Sequence, residues 1–178
     1  MQTTTPALRI EEELFVGDGS VPNNPWLPLI VYRCVLQTGA EAAEACVALF
    51  ERNGWGGAWR NGIYAHHHYH SAAHEVLGIV VGSVRVRLGG EHGRTMELQA
   101  GDVVVVPAGV AHKNEGASLD LVVVGAYPIG QNPDMRTPGT RDYERWVAQI
   151  AAVPLPECDP VYGMHGPLIE RWCGAERS

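Results

Sequence analysis

Lysine is almost missing from this chain: Lys113 is the one lysine among 13 basic residues, and no basic cluster occurs. With a formal net charge of -7, nucleic acid and anionic membrane surfaces are poor partners, because both hold proteins through dense positive charge. Cysteine is sparse too. Cys34, Cys46, Cys158 and Cys173 show no CxxC spacing, which argues against a thiolate zinc site or a disulfide scaffold. Cys46 falls in a helical pattern and Cys34 in an apolar strand, where buried, reduced thiols are expected, so the chain reads as cytoplasmic. Apolar runs of membrane-spanning length are absent. The first residues, M-Q-T-T-T-P-A-L-R-I-E-E-E, lack the basic start and apolar core of a secretory signal.

What remains is the composition of an ordinary globular protein: 178 residues, 46% hydrophobic and 19% charged. That length predicts one domain over 1–178, large enough to bury a core. Strands are expected at Leu8–Val16 and Pro28–Leu36. Thr38 and Glu41 have capping-box spacing ahead of a helix to about Asn53, ended by Gly54, with Ala43, Cys46, Val47 and Phe50 on one face. The glycine-rich G-W-G-G-A-W-R-N-G reads as a connector. Short strands then follow at even spacing: Ile63–His70, Glu75–Val81, Val84–Leu88, Thr95–Gln99, Val103–Val106 and Leu119–Ala126. This rhythm with glycine turns predicts an all-β jelly roll or barrel, with the core at about 60–128. A last helix is expected over Thr140–Ala152, with the apolar tail beyond it packed on the barrel or on a neighbouring subunit.

The chemistry concentrates in G-I-Y-A-H-H-H-Y-H-S-A-A-H-E-V-L-G-I-V-V-G, residues 62–82. On a strand, His68 and His70 project from one face, and Glu75 on the next strand can join them. Neutral nitrogen donors with one carboxylate suit a divalent transition metal. A further donor is His112, reached through the apolar run Val103–Val106 and the turn Pro107-Ala108-Gly109. Glu75 is a ligand, an acceptor behind the ligands, or a general base; its residue type does not choose. His66 shares the parity of His68 and His70 but fails the spacing to Glu75, so it reads as a pocket neighbour. His67 has the opposite parity and reads as exposed or packed outside, and His74 points away from Glu75.

These two segments resemble the signature motifs of the cupin superfamily. Gly62, His68, His70, Glu75 and Gly82 match G-x5-H-x-H-x4-E-x6-G; Gly101, Pro107, Gly109 and His112 match G-x5-P-x-G-x2-H. The second departs afterwards, with Asn114 two residues past His112 where the family often has three between. H-H-H-Y-H-S-A-A-H-E, with G-A-Y-P-x-G downstream, is similar to a small branch often called YjlB-like. The resemblance implies a cupin jelly-roll β-barrel with peripheral helices and one divalent metal (Fe, Mn, Ni, Zn or Cu) on His68, His70, Glu75 and His112. Two octahedral positions then stay open for water, dioxygen or a chelating substrate.

Three functions fit: a small-molecule enzyme of oxygenase or isomerase type, a non-catalytic small-molecule-binding module, or a degenerate barrel with a structural metal. No catalytic residue is readable, and no Ser-His-Asp arrangement occurs. Arg85 and Arg87, alternating with Val84, Val86 and Leu88, mark a strand with one wet face; if that face is the lumen, they bind a substrate carboxylate. Tyr64 is placed at the mouth. Apolar barrel edges and the tail predict a homodimer.

Overall fold

A computed structural model describes residues 8–175. Residues 1–7 and 176–178, where the expected lack of a leader and the end of the tail fall, lie outside the described residues. Nine strands and three helices follow in the order β1 (Arg9–Phe15), β2 (Asn24–Arg33), α1 (Ala42–Arg52), β3 (Trp55–Asn61), β4 (Glu75–Val81), β5 (Ser83–Leu88), β6 (Arg94–Gln99), β7 (Val103–Val106), β8 (His112–Ala117), β9 (Val122–Pro128), α2 (Tyr143–Ala151) and α3 (Pro167–Cys173) among the described residues. A six-stranded antiparallel sheet, β1-β2-β7-β4-β9-β3, faces a three-stranded sheet, β6-β5-β8. This is the all-β jelly-roll barrel with peripheral helices that the resemblance implied.

Two cores hold it. The inner one lies between the sheets, with Leu29, Val31, Leu77, Ile79 and Val104 of the large sheet against Val84, Val86, Leu88, Met96 and Leu98 of the small one. The outer one covers the back of the large sheet, where Ile30, Tyr32, Val76, Val103 and Val105 meet Cys46 and Phe50 of α1 and Leu168 and Trp172 of α3. The tail therefore packs back on the barrel of its own chain. Asp159 anchors it: this fully buried carboxylate accepts from the Tyr32 hydroxyl and from the N–H groups of Val161, Tyr162 and Leu168 at 2.8, 3.0 and 3.0 Å. No described helix is long and apolar enough to cross a membrane.

Several expectations are corrected. The glycine-rich connector is strand β3, an edge strand with a bulge between Gly56 and Trp59 where it pairs with β9. Ile63–His70 is not a strand. Its backbone groups go into a pair of reciprocal hydrogen bonds between His68 and His112 and another between Tyr69 and Arg136. The β2 strand begins at Asn24 and stops at Arg33, because Cys34 turns into the left-handed region (φ 56°) and stands exposed rather than buried. Helix α1 starts at Ala42 behind Glu41 with no side-chain cap, so Thr38 does not form the capping box.

Candidate metal centre

His68 and His112 sit directly across from one another, His112 N–H donating to His68 O at 2.9 Å and His68 N–H to His112 O at 3.2 Å. Their rings lie 4.1 Å apart between centroids, with that of His70 5.8 and 5.9 Å from them. The turn before β8 fixes His70: Gly109 N–H donates to His70 O at 2.8 Å. Gly109 has φ +93°, and a Cβ there would stand 2.3 Å from the backbone oxygen of Asn23, so only glycine fits. Glu75 opens β4 opposite Val106, which places its side chain on the inner face.

Asp134, which the sequence did not single out, supports this arrangement. Its carboxylate accepts from Ser71 N–H at 2.7 Å, Ala72 N–H at 3.1 Å and Arg136 Nε at 2.7 Å, and its backbone oxygen accepts from His70 Nδ1. No local spacing announces it, since Ser71 and Asp134 are 63 residues apart.

All three imidazoles have the same polarity. His68 Nδ1 donates to His66 O and His112 Nδ1 to Val110 O, each at 3.2 Å, and His70 Nδ1 donates to Asp134 O. A carbonyl oxygen only accepts, so each Nδ1 carries the proton and each Nε2 presents its lone pair in the neutral ring. One ligand atom from each ring lies within 4.8 Å of the others, in a group able to hold a metal ion. Glu75 Oε2 stands 3.1 Å from His112 Nε2 and 3.3 Å from His70 Nε2. No N–H is aligned with it, which leaves a buried carboxylate oxygen without a hydrogen-bond partner. Lone pairs and a negative charge crowd together at 2–7% exposure. Such a site calls for a cation, and this donor set fits a divalent transition metal.

The electrostatics follow from that crowding. Burial, reinforced by the neighbouring His112, pushes His68 down to about 3. Burial opposes ionisation of Glu75, but the imidazolium forms of His112 and His70 outweigh that cost and hold its pKa below the usual carboxylate range. Burial likewise opposes charge on His70, while Glu75 outweighs it and raises the pKa. Burial and the charge of Glu75 push the Tyr127 phenol up.

The cluster faces a cavity of about 260 Å³ whose wall includes Trp59, Tyr64, Leu77, Tyr127 and Met135. Tyr64 is there, 53% exposed at the rim. His66 is exposed and stacks on Tyr64, with ring centroids 5.2 Å apart, and does not line the cavity. His67 pairs with Glu91 at 3.1 Å on the outside. His74 points to the outer core, its ring 4.7 Å from that of Trp172. Arg85 and Arg87 are a correction. Val84, Val86 and Leu88 occupy the inner face of β5, so the arginines stand on its outer face, with Arg87 Nε donating to Glu115 at 3.0 Å.

Two facing antiparallel sheets closed over buried histidines define a class, and residues 60–125 match the model of the cupin domain. The chain belongs to the cupin superfamily, in the branch of its curated relative. That relative is the Bacillus subtilis (strain 168) “Uncharacterized protein YjlB”, 42% identical over 159 residues, which cover 89% of this chain and 93% of the relative. Similar solved structures include acireductone dioxygenase from Bacillus anthracis with a cadmium ion in its active centre. It is 19% identical with a TM-score of 0.36, over 51% of this chain and 62% of that one. RmlC from Streptococcus suis, in complex with dTDP-D-xylose, is 12% identical with a TM-score of 0.38, over 65% of this chain and 72% of that one.

Proposed function

We propose that His68, His70, His112 and Glu75 hold one divalent transition metal, and that the whole chain works as one unit around it as a small-molecule enzyme of the oxygenase or isomerase class. One observation carries this reading: three Nε2 lone pairs, fixed by three Nδ1–H···O=C contacts, converge beside a buried carboxylate oxygen with no donor of its own. When bound, the metal supplies Lewis acidity toward a substrate oxygen and a place for dioxygen. The protein supplies the rest. Backbone carbonyls of His66, Val110 and Asp134 lock ring tautomers and orientations, as the outer partners of metal-binding histidines do. Trp59, Leu77 and Tyr127 give the reacting face a largely apolar wall. Tyr127 keeps its phenolic proton, accepting from Trp59 Nε1 at 2.9 Å, and offers that proton toward the acidic side of the site.

The test is metal analysis of protein purified without a histidine-affinity column, repeated on His68→Ala. About one equivalent in the wild type and loss in the variant support the site; equal metal in both overturns it. Dioxygen uptake by the Fe(II) form with diketones, phenols or thiols then identifies an oxygenase, whereas tight binding without turnover identifies a binding module. A homodimer is supported by Leu14 on the edge strand β1 and Val16 just past its end, both exposed, and light scattering checks it. Four unpaired cysteines support a reducing, cytoplasmic compartment.

A further inference from the structure

We infer that this cavity selects its ligand by charge: it takes a compact, largely apolar molecule that carries at most one negative charge when bound. The inference rests on the metal reading above and adds the substrate class.

A divalent ion beside three neutral imidazoles and the Glu75 carboxylate leaves a single positive charge. A singly anionic ligand brings the buried site to neutrality, and a neutral one leaves only the single positive charge that the metal and its ligands already hold. A dianion leaves an uncompensated negative charge in a low-dielectric cavity unless the wall provides a cation.

The wall provides none among the described residues. Beside the metal-binding cluster and Arg60, its side chains are those of Trp59, Asn61, Ile63, Tyr64, Leu77, Tyr127 and Met135, none of them a cation. Arg60 reaches the wall, but its guanidinium is turned to Glu44 of α1, 2.7 Å away and outside the barrel. Arg136, next to Met135, is spent on Asp134 at 2.7 Å and lies 3.7 Å over the Trp146 ring. Lys113 alternates with His112 along β8 and sits with Glu115 on the outer face, 3.8 Å away. Trp59 spends its N–H on the Tyr127 hydroxyl and so offers ring surface, while Tyr127 keeps a phenolic proton to donate but brings no positive charge. The volume, about 260 Å³, lies under the roughly 300–1,000 Å³ typical of pockets for drug-sized ligands, so the occupant is compact.

The experiment loads the full chain with cobalt(II) and reads the visible spectrum and thermal melting during titration with acetylacetone, maltol and acetohydroxamate, which chelate as monoanions. Oxalate, malonate and inorganic phosphate form the other arm. The expected result is saturable binding of the monoanionic chelators with at least about tenfold preference over the dianions, since an unpaired buried charge costs more than that. In Met135→Arg, which places a cation at the half-exposed rim, oxalate should bind tighter and the preference for acetylacetone over oxalate should shrink at least about tenfold. Oxalate binding as tightly as acetylacetone to the cobalt-loaded wild type overturns the charge limit and leaves the metal reading intact. So does a Met135→Arg variant that gains nothing for oxalate. A wild-type chain that takes up no cobalt overturns the metal reading and this inference together.

Discussion

The two sheets of the barrel solve the problem of burial differently. In the large sheet, strand β7 is Val103-Val104-Val105-Val106, every residue buried, because Val104 and Val106 face the inner core while Val103 and Val105 face the outer core under α1 and α3. In the small sheet, β5 is Ser83-Val84-Arg85-Val86-Arg87-Leu88, buried only at every second position. A continuous apolar run marks a strand covered on both faces, and alternation marks one with a wet face. The metal-binding cluster lies on the seam: Glu75 opens β4 of the large sheet and His112 opens β8 of the small one. The middle of the large sheet is a wall packed on both faces, and the small sheet turns a charged outer face to solvent.

The largest effects are expected at the seam. His112→Ala removes the donor that ties the small sheet to the cluster, and metal affinity should fall by at least about 100-fold, beyond the 10- to 100-fold typical of losing an outer partner. His66→Ala, on an exposed ring outside the cavity, should change it less than about threefold, since it contributes only a backbone carbonyl to His68. Isothermal titration with zinc or cobalt(II) measures both. An equal loss in the two variants would mean that the ligand register is shifted by two residues.

Next in size comes the packing of the walls themselves. Val104→Ala and Val105→Ala should each cost about 2 kcal/mol, because each removes methyl groups from a full core, one on either face. Along β5 the effect should alternate: Val86→Ala costs about as much, whereas Arg85→Ala, exposed and outside, stays within about 0.5 kcal/mol. Chemical denaturation of the four variants reads this directly. A large effect at Arg85 would place its side chain inside the barrel after all.

The same contrast explains what the sequence disclosed. Val103–Val106 and the alternation of β5 are strong periodic signals, and both elements fall where the pattern puts them. The wet face of β5 was legible, but not that it is the outside; that depends on which sheet the strand joins. His68, His70, Glu75 and His112 do converge, although His68 and His70 lie on a bridged, irregular segment rather than a strand. Their common direction comes from the pairing of His68 with His112 and the anchoring of His70 by Gly109, which are contacts distant in sequence. Strand β3 was hidden because Gly56 and Gly57 lie in a bulge, where glycine serves close approach and unusual dihedrals, not a connector. Asp134 left no trace, since its role exists only once the loop holding it folds beneath His70.

A contrast between neighbouring carboxylates lies at the far edge of the large sheet, where the doubly packed wall meets solvent. Arg33 donates from Nε to Glu11 on β1 at 2.8 Å and from Nη1 to Asp102 at 2.8 Å. The Arg33 hydrogen bond, opposed by slight burial, holds the Glu11 carboxyl below its ordinary 4.5. A depressed folded-state pKa contributes stability above the unfolded value, and that contribution fades as pH falls through the folded value. Glu11 is a third exposed, so solvent screens the pair, and Glu11→Gln should cost no more than about 1 kcal/mol at neutral pH. The difference between wild type and variant should shrink toward zero below about pH 4. Asp102→Asn differs in kind, because that carboxylate is 1% exposed and also accepts from Cys34 N–H at 3.0 Å and Gln99 N–H at 3.1 Å. Its loss should exceed that of Glu11→Gln by about 2 kcal/mol or more, the cost of leaving buried partners short of their acceptor. Urea denaturation of both variants between pH 3 and 8 decides the matter. Equal losses would show that the rim of the large sheet is as wet at Asp102 as it is at Glu11.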